Sequence, residues 1–300
     1  MNGRLASDER GRQGSALTHF GFDPANAWER LVSLRTQGEG APLFCFPGSG
    51  GNVRGFQELA AALPVGFPVY GVDLEWLCDV EANFTVEQTA EICLAIIEQA
   101  AGAGPYHLCG YSFGGLVAYE ISARLSETGR AVGLVALLDA PNPQIVANLP
   151  REAAAEFRKT YLRDRLNKYF HDLVRGNFRA LVARGLAFAI SRSGRVALPW
   201  IKRAYRAVKQ PMPAILRAND PSFTKAWHAY VPGPCANRVT LFRVDERGLE
   251  HDRDPSMGWR RFALGGVEVH TIAAGHVAMM MQPSVGQVAD AIAPHLRSRD

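Results

Sequence analysis

The sequence predicts an α/β fold: a mostly parallel, twisted sheet with helices on both faces and a helical lid-like insertion late in the sheet. Three observations lead there. Short β-rich apolar runs alternate with amphipathic helical patterns along the first half of the chain. The runs are apolar at nearly every position, not at every second one, so they need cover on both faces, which crossover helices supply in a parallel sheet. The alternation then stops between residues 150 and 229, and strand-like sequence returns afterwards.

The elements follow in order. Residues 1–28 are rich in Gly, Ser, Arg and Asp with few periodic apolar positions, and are expected to form a flexible arm or linker, with order starting near Trp28. One catalytic domain is expected over 29–300. Its strands are expected at LVSL (31–34), PLFCF (42–46), VYGVD (69–73), YHLCGY (106–111) and VGLVALLD (132–139). Between them, FQELAAAL (56–63), VEQTAEICLAIIEQA (86–100) and GGLVAYEISARLSETG (114–129) carry helical periodicity. From about 150 to 229 the chain is helical and basic, with aromatic and aliphatic residues at three- and four-residue spacing, and reads as an insertion. RVTLFRVD (238–245) and VEVHTIA (267–273) complete the sheet, and PSVGQVADAIAPHL (283–296) closes the chain as a helix.

Composition narrows the function classes. A chain of 300 residues that is 47% hydrophobic and 21% charged can bury one large core. It carries no apolar run long enough to span a bilayer and no secretory leader, which predicts a cytoplasmic protein. Cys45, Cys78, Cys93, Cys109 and Cys235 are odd in number and scattered through apolar segments, so they are expected as reduced core residues, not as a disulfide framework or metal site. Charge is uneven: residues 151–210 hold 15 Lys or Arg against 4 Asp or Glu, leaving 18 basic and 25 acidic residues elsewhere. Such a basic insert is either a solvated helical face or a docking surface for an acidic or anionic partner. No nucleic-acid-binding motif accompanies it.

The chemistry centres on Gly110-Tyr111-Ser112-Phe113-Gly114-Gly115, at the junction of a predicted strand and a predicted helix. A Gly-x-Ser-x-Gly motif there makes a sharp turn that exposes the serine Oγ above the sheet, and side chains in place of the glycines would strike neighbouring strand and helix. Ser112 is the candidate nucleophile. A serine hydroxyl needs a base to take its proton and an acid to orient that base. His107 and His270 lie in strands and are expected in the core; His276, in AAGHVAMMM, lies on the loop after the last strand, where the base of such a chain order belongs. For the acid, Asp139 ends VALLDA and Asp245 ends TLFRVD, and spacing does not separate them. The rigid Ala140-Pro141-Asn142-Pro143 corner after Asp139 favours it over Asp245, which sits in the charged string VDERGLEHDRD. The oxyanion donors expected are the backbone N–H groups of Phe113, directly after the nucleophile, and of Ser49 in the Gly-rich loop FCFPGSGGNV. That loop lacks the Gly-Lys-Ser/Thr ending of a nucleotide-binding loop. Trp76 is a candidate for lining a substrate pocket.

SLRTQGEGAPLFCFPGSGGNV, GYSFGGLVAYEIS, LLDAP and AGHVAMM, in this order and spacing, resemble the thioesterase domains that end nonribosomal peptide and polyketide synthases. The resemblance covers roughly residues 30 to 298 and implies an α/β-hydrolase fold of the kind used in antibiotic biosynthesis. It implies Ser112 as nucleophile, His276 as base and Asp139 as acid, with oxyanion donors at Ser49 and Phe113. In relatives that work as separate editing proteins the acid lies one strand later, where Asp245 stands. It further implies a carrier protein presenting its acyl, peptidyl or polyketide chain on a phosphopantetheine arm, released by hydrolysis or macrocyclisation, with no metal or organic cofactor. The insertion at about 150–229 corresponds to the family's lid, and its Arg203 and Arg206 are expected to meet the acidic carrier. The chain's own Met and short arm fit a free-standing protein or an excised synthase domain. Two rivals remain open: a general carboxylesterase or lipase, and a catalytically silent hydrolase-fold protein that binds carriers or membrane through the basic insert.

Overall fold

A computed structural model describes residues 22–78, 84–101, 104–147, 200–205, 207–208, 217, 220–245 and 254–296. Seven strands form one sheet: β1 (Leu31–Arg35), β2 (Leu43–Phe46), β3 (Val69–Val72), β4 (Tyr106–Tyr111), β5 (Val132–Leu138), β6 (Val239–Val244) and β7 (Val267–Ile272). Their order is β1-β3-β2-β4-β5-β6-β7. Only β1 pairs antiparallel, with β3; every other neighbouring pair is parallel. The principal described helices are α1 (Gln57–Ala62), α2 (Val86–Ala101), α3 (Phe113–Glu127), α4 (Pro221–Ala229) and α5 (Ser284–Leu296).

The continuous apolar runs are explained by how each strand divides its side chains. Phe44 and Phe46 of β2 and Leu108 of β4 point into one core with residues of α2, α3 and α4. Leu43 and Cys45 of β2 and Cys109 of β4 point into the other, with α1 and α5. Successive strand residues face opposite sides, so burial of both sides requires an apolar residue at every position. All five cysteines are buried and none is in a disulfide.

Two features differ from the sequence expectation. Order begins ahead of Trp28: Pro24–Arg30 forms a 3-10 helix, and Phe22 and Ala27 are buried against the core. Two apolar anchors in an otherwise polar stretch give no periodic signal, yet they suffice to seat it. Residues 1–21 lie outside the described residues. His270 is half-exposed, not core: it stands on β7, at the sheet edge, where it pairs with Glu268 at 3.1 Å and stacks on Phe242. Of the insertion, 200–205, 207–208, 217 and 220–229 are described; the remainder, Arg206 included, lies outside the described residues.

His107 does lie in the core, 5% exposed, and a Cβ placed on Gly133 would come within 2.4 Å of its ring. Burial, and then the neighbouring His295, lower its pKa from 6.5 to about 4. The unfolded chain takes up this proton near pH 6.5 and the folded chain only near pH 4, so the neutral ring's contribution is complete above the first value and is lost toward the second. At most about 3 kcal/mol is involved. Thermal melts of His107→Gln are therefore expected to show a shallower loss of Tm than wild type between these pH values. Parallel pH profiles for the two proteins would contradict it.

Candidate active site

Ser112 occupies the turn between β4 and α3 with φ 54° and ψ −116°, outside the regions an L-residue prefers. The turn is held by a hydrogen bond from the Ser112 N–H to the Leu138 carbonyl at 2.9 Å and by one from the Gly115 N–H to the Ser112 carbonyl at 3.0 Å. Its glycines are required by contact: a Cβ on Gly110 would stand 2.1 Å from the Gly114 carbonyl oxygen, and one on Gly114 would stand 2.0 Å from that of Phe46. The backbone is thus compressed between β2 and its own helix, and the strain at Ser112 is sustained by that packing.

Asp139 follows β5 directly, is fully buried, and also has a positive φ, 46°. Its N–H bonds to the Phe242 carbonyl on β6 at 2.7 Å. The corner after it is fixed from outside: the Trp259 indole donates to the Ala140 carbonyl at 2.7 Å, and the Asn142 N–H donates to the Met257 carbonyl at 3.0 Å. His276 lies on the loop after β7, and its Nδ1 hydrogen-bonds the Asp139 carboxylate. The half-exposed imidazole is thereby oriented through Nδ1 by a buried carboxylate.

Asp245 serves a different purpose. It is exposed, and its carboxylate accepts the Ala274 N–H at 3.1 Å, bracing the loop that carries His276 without meeting the imidazole. Ser49 is exposed on the loop after β2, beside the nucleophile turn: a Cβ on Gly48 would lie 3.4 Å from that of Ser112. Phe113 is the first residue of α3, so its N–H belongs to the helix-start donors that lack an intrahelical acceptor and carry the positive end of the helix dipole. Its ring is clasped edge-to-face by Phe223 at 5.0 Å and Phe84 at 6.1 Å.

One further contact at the site has no motif to announce it. Tyr111 stacks on the His276 ring at 4.8 Å, and its hydroxyl donates to the His276 backbone carbonyl at 3.0 Å. Adjacent in sequence to Ser112, it links the Ser112 turn to the loop that carries His276. An aromatic residue ending a strand, next to the motif serine, was the only available signal. Trp76 is stacked on Phe22 at 6.2 Å and lies under the Arg30 guanidinium at 5.5 Å.

Residues 41–296 match the thioesterase-domain family. Among curated proteins, the chain is 28% identical over 277 residues to "Probable non-canonical nonribosomal peptide synthetase (NRPS) CymA" of Salinispora arenicola, a match covering 91% of this chain and 3% of that protein. It is 27% identical over 299 residues to a non-reducing polyketide synthase of Pseudevernia furfuracea, covering 94% of this chain and 14% of the synthase. The chain thus spans a small part of the curated relatives it matches. Among solved structures, the Vlm2 thioesterase domain bound with a dodecadepsipeptide aligns with a TM-score of 0.59 at 22% identity, covering 90% of this chain and 98% of that one. The NocB thioesterase domain in covalent complex with a fluorophosphonate nocardicin G analog aligns with a TM-score of 0.60 at 18% identity, covering 89% and 99%. At these identities the structures bear on the fold.

Proposed function

Because the chain belongs to the thioesterase-domain family, an enzyme family of serine hydrolases on the α/β-hydrolase fold, we propose that it releases an acyl, peptidyl or polyketide chain from a carrier-protein phosphopantetheine thioester through an acyl-Ser112 intermediate. The observation that carries this reading is a strained turn at Ser112 whose neighbour Tyr111 is bonded to the His276 carbonyl, with His276 Nδ1 held by buried Asp139.

In the proposed mechanism, His276 Nε2 takes the Ser112 hydroxyl proton as Oγ attacks the thioester carbonyl. The amides of Ser49 and Phe113 donate to the developing oxyanion. Collapse breaks the C–S bond, and the His276 proton passes to the departing pantetheine sulfur. The acyl-enzyme is then opened by water, with His276 again the base, or by an amine or hydroxyl of the chain itself, which yields a macrocycle. Asp139 keeps the imidazole in the tautomer with Nδ1 protonated and steadies the imidazolium. The chain's own groups carry every step.

Carrier origin is supported by the synthase relatives, whose printed names describe a nonribosomal peptide synthetase and a polyketide synthase. We place the carrier against the basic insert, where Arg203 is exposed and Lys202 is committed to Asp220 at 2.5 Å. Among the described residues no helix is long and apolar enough to cross a membrane. Five buried thiols suit the reducing cytoplasm, where we place the reaction.

The reading is tested by comparing kcat/KM on an acyl-pantetheine thioester and its matched oxygen ester. A thiolate leaves with less help from the imidazolium than an alkoxide does, and a thioesterase pocket is built around that leaving group. A higher kcat/KM on the thioester is expected; preference for the oxygen ester would point to a general carboxylesterase.

A further inference from the structure

Both halves of the proposed oxyanion hole connect to the stretch that leads into α4, one through an intermediate loop and one by direct contact. On one side, the Ser49 loop is tied to the loop after β3. The Asn52 side chain caps the turn that follows the Gly-rich loop, accepting the Arg54 N–H at 2.8 Å, and its amide donates to Glu75 Oε1 at 2.6 Å. The Leu74 N–H donates to the Gly51 carbonyl at 3.1 Å. The other carboxylate oxygen of Glu75 pairs with the Arg217 guanidinium at 3.0 Å, with both side chains largely covered. The Cys78 thiol lies 3.9 Å from the carbonyl oxygens of both Gly50 and Arg217, so it spans the same two segments.

On the other side, the Arg217 carbonyl accepts the Asp220 N–H at 3.1 Å; Asp220 caps α4 by accepting the Ser222 N–H at 2.9 Å and is paired with Lys202. The next residue of α4, Phe223, is fully buried and holds the Phe113 ring. Arg217, through Glu75 and Cys78, and Phe223, by direct ring contact, therefore connect to the two proposed oxyanion donors, Ser49 and Phe113.

We propose that Glu75 is a positioning residue that fixes the Ser49 loop by joining Asn52 to Arg217, so that the placement of Arg217 sets the oxyanion hole. This rests on the reading of Ser112 as nucleophile and of Ser49 as a donor. Asn52 Nδ2 and Arg217 Nη2 occupy separate oxygens of one carboxylate, so a shift of Arg217 is transmitted to the loop through a single rigid planar group. An error of about 1 Å in an oxyanion donor is worth up to about 10²-fold in rate.

A fluorophosphonate tests this without knowledge of the natural acyl group, because its phosphonyl oxygen occupies the oxyanion hole as phosphorus bonds to the serine Oγ and fluoride leaves. Glu75→Ala is expected to lower kinact by about 10- to 10²-fold with KI within about twofold of wild type. Glu75→Gln keeps an oxygen for Asn52 but presents an amide N–H to Arg217, so it should recover only part of kinact, falling between Glu75→Ala and wild type. The double variant Glu75→Ala/Arg217→Ala should label no more than about twofold slower than Glu75→Ala, since both act through one link. A wild-type kinact in Glu75→Ala, or fully additive losses in the double variant, overturns the link. Ser112→Ala separates the two readings. Labelling that survives Ser112→Ala removes the nucleophile assignment and the link with it. Labelling lost in Ser112→Ala but normal in Glu75→Ala overturns the link alone.

Discussion

Replacing Ser112 by Ala is expected to lower kcat on an acyl-pantetheine thioester by about 10⁶-fold, the scale seen when the nucleophile of a serine hydrolase is removed. The loss falls on kcat because the proposed hydroxyl forms the bond to the acyl carbon and contributes little to binding the ground state. The fold should be spared. The strain at φ 54° resides in the backbone and is shared by any L-residue, and the turn's hydrogen bonds to Leu138 and Gly115 use main-chain atoms. Tm is expected within about 3 °C of wild type, the shift that about 1 kcal/mol produces in a domain of this size. A variant with normal stability and more than a hundredth of the wild-type kcat would contradict the assignment.

Asp139→Asn is expected to lower kcat by about 10⁴-fold. Asn would present an N–H to His276 Nδ1, favouring the tautomer whose Nε2 is already protonated and so unable to accept the Ser112 proton. Asp245→Asn provides the contrast. The Asp245 carboxylate accepts the Ala274 N–H, a bond that an Asn side-chain oxygen can also accept, and so kcat should stay within about threefold of wild type. The opposite pattern, near-normal turnover in Asp139→Asn and collapse in Asp245→Asn, would move the acid to the later strand. The measurement is steady-state kinetics of both variants on one thioester at neutral pH.

These expectations trace how much the amino-acid order reveals. Strands buried on both faces announce themselves because every position must be apolar; β2 through β7 accordingly lie within a residue or two of the runs that predict them. The nucleophile turn is legible for a similar local reason, since Gly110 and Gly114 are fixed by contacts their own segment makes. Choosing between Asp139 and Asp245 was harder, because both end parallel strands that are neighbours in the sheet. In space the two differ: Asp139 is buried and bonds His276 Nδ1, whereas Asp245 is exposed and accepts the Ala274 N–H. Tyr111 against His276 and Glu75 between Asn52 and Arg217 left almost no trace in sequence. These are contacts between loops at the carboxyl ends of different strands, and no local periodicity encodes which loops meet. The seating of Phe22 was missed likewise, since one ring stacked on Trp76 makes no pattern.

The site's central claim is that Ser112 carries the acyl group between thiol release and product formation. Rapid-quench intact-mass measurement during turnover of an acyl-pantetheine thioester tests it most directly. A transient protein species heavier by the mass of the acyl group is expected, mapped by fragmentation to the peptide containing Ser112 and absent from Ser112→Ala. Thioester turnover that proceeds with no such species, at a rate unchanged in Ser112→Ala, would contradict it.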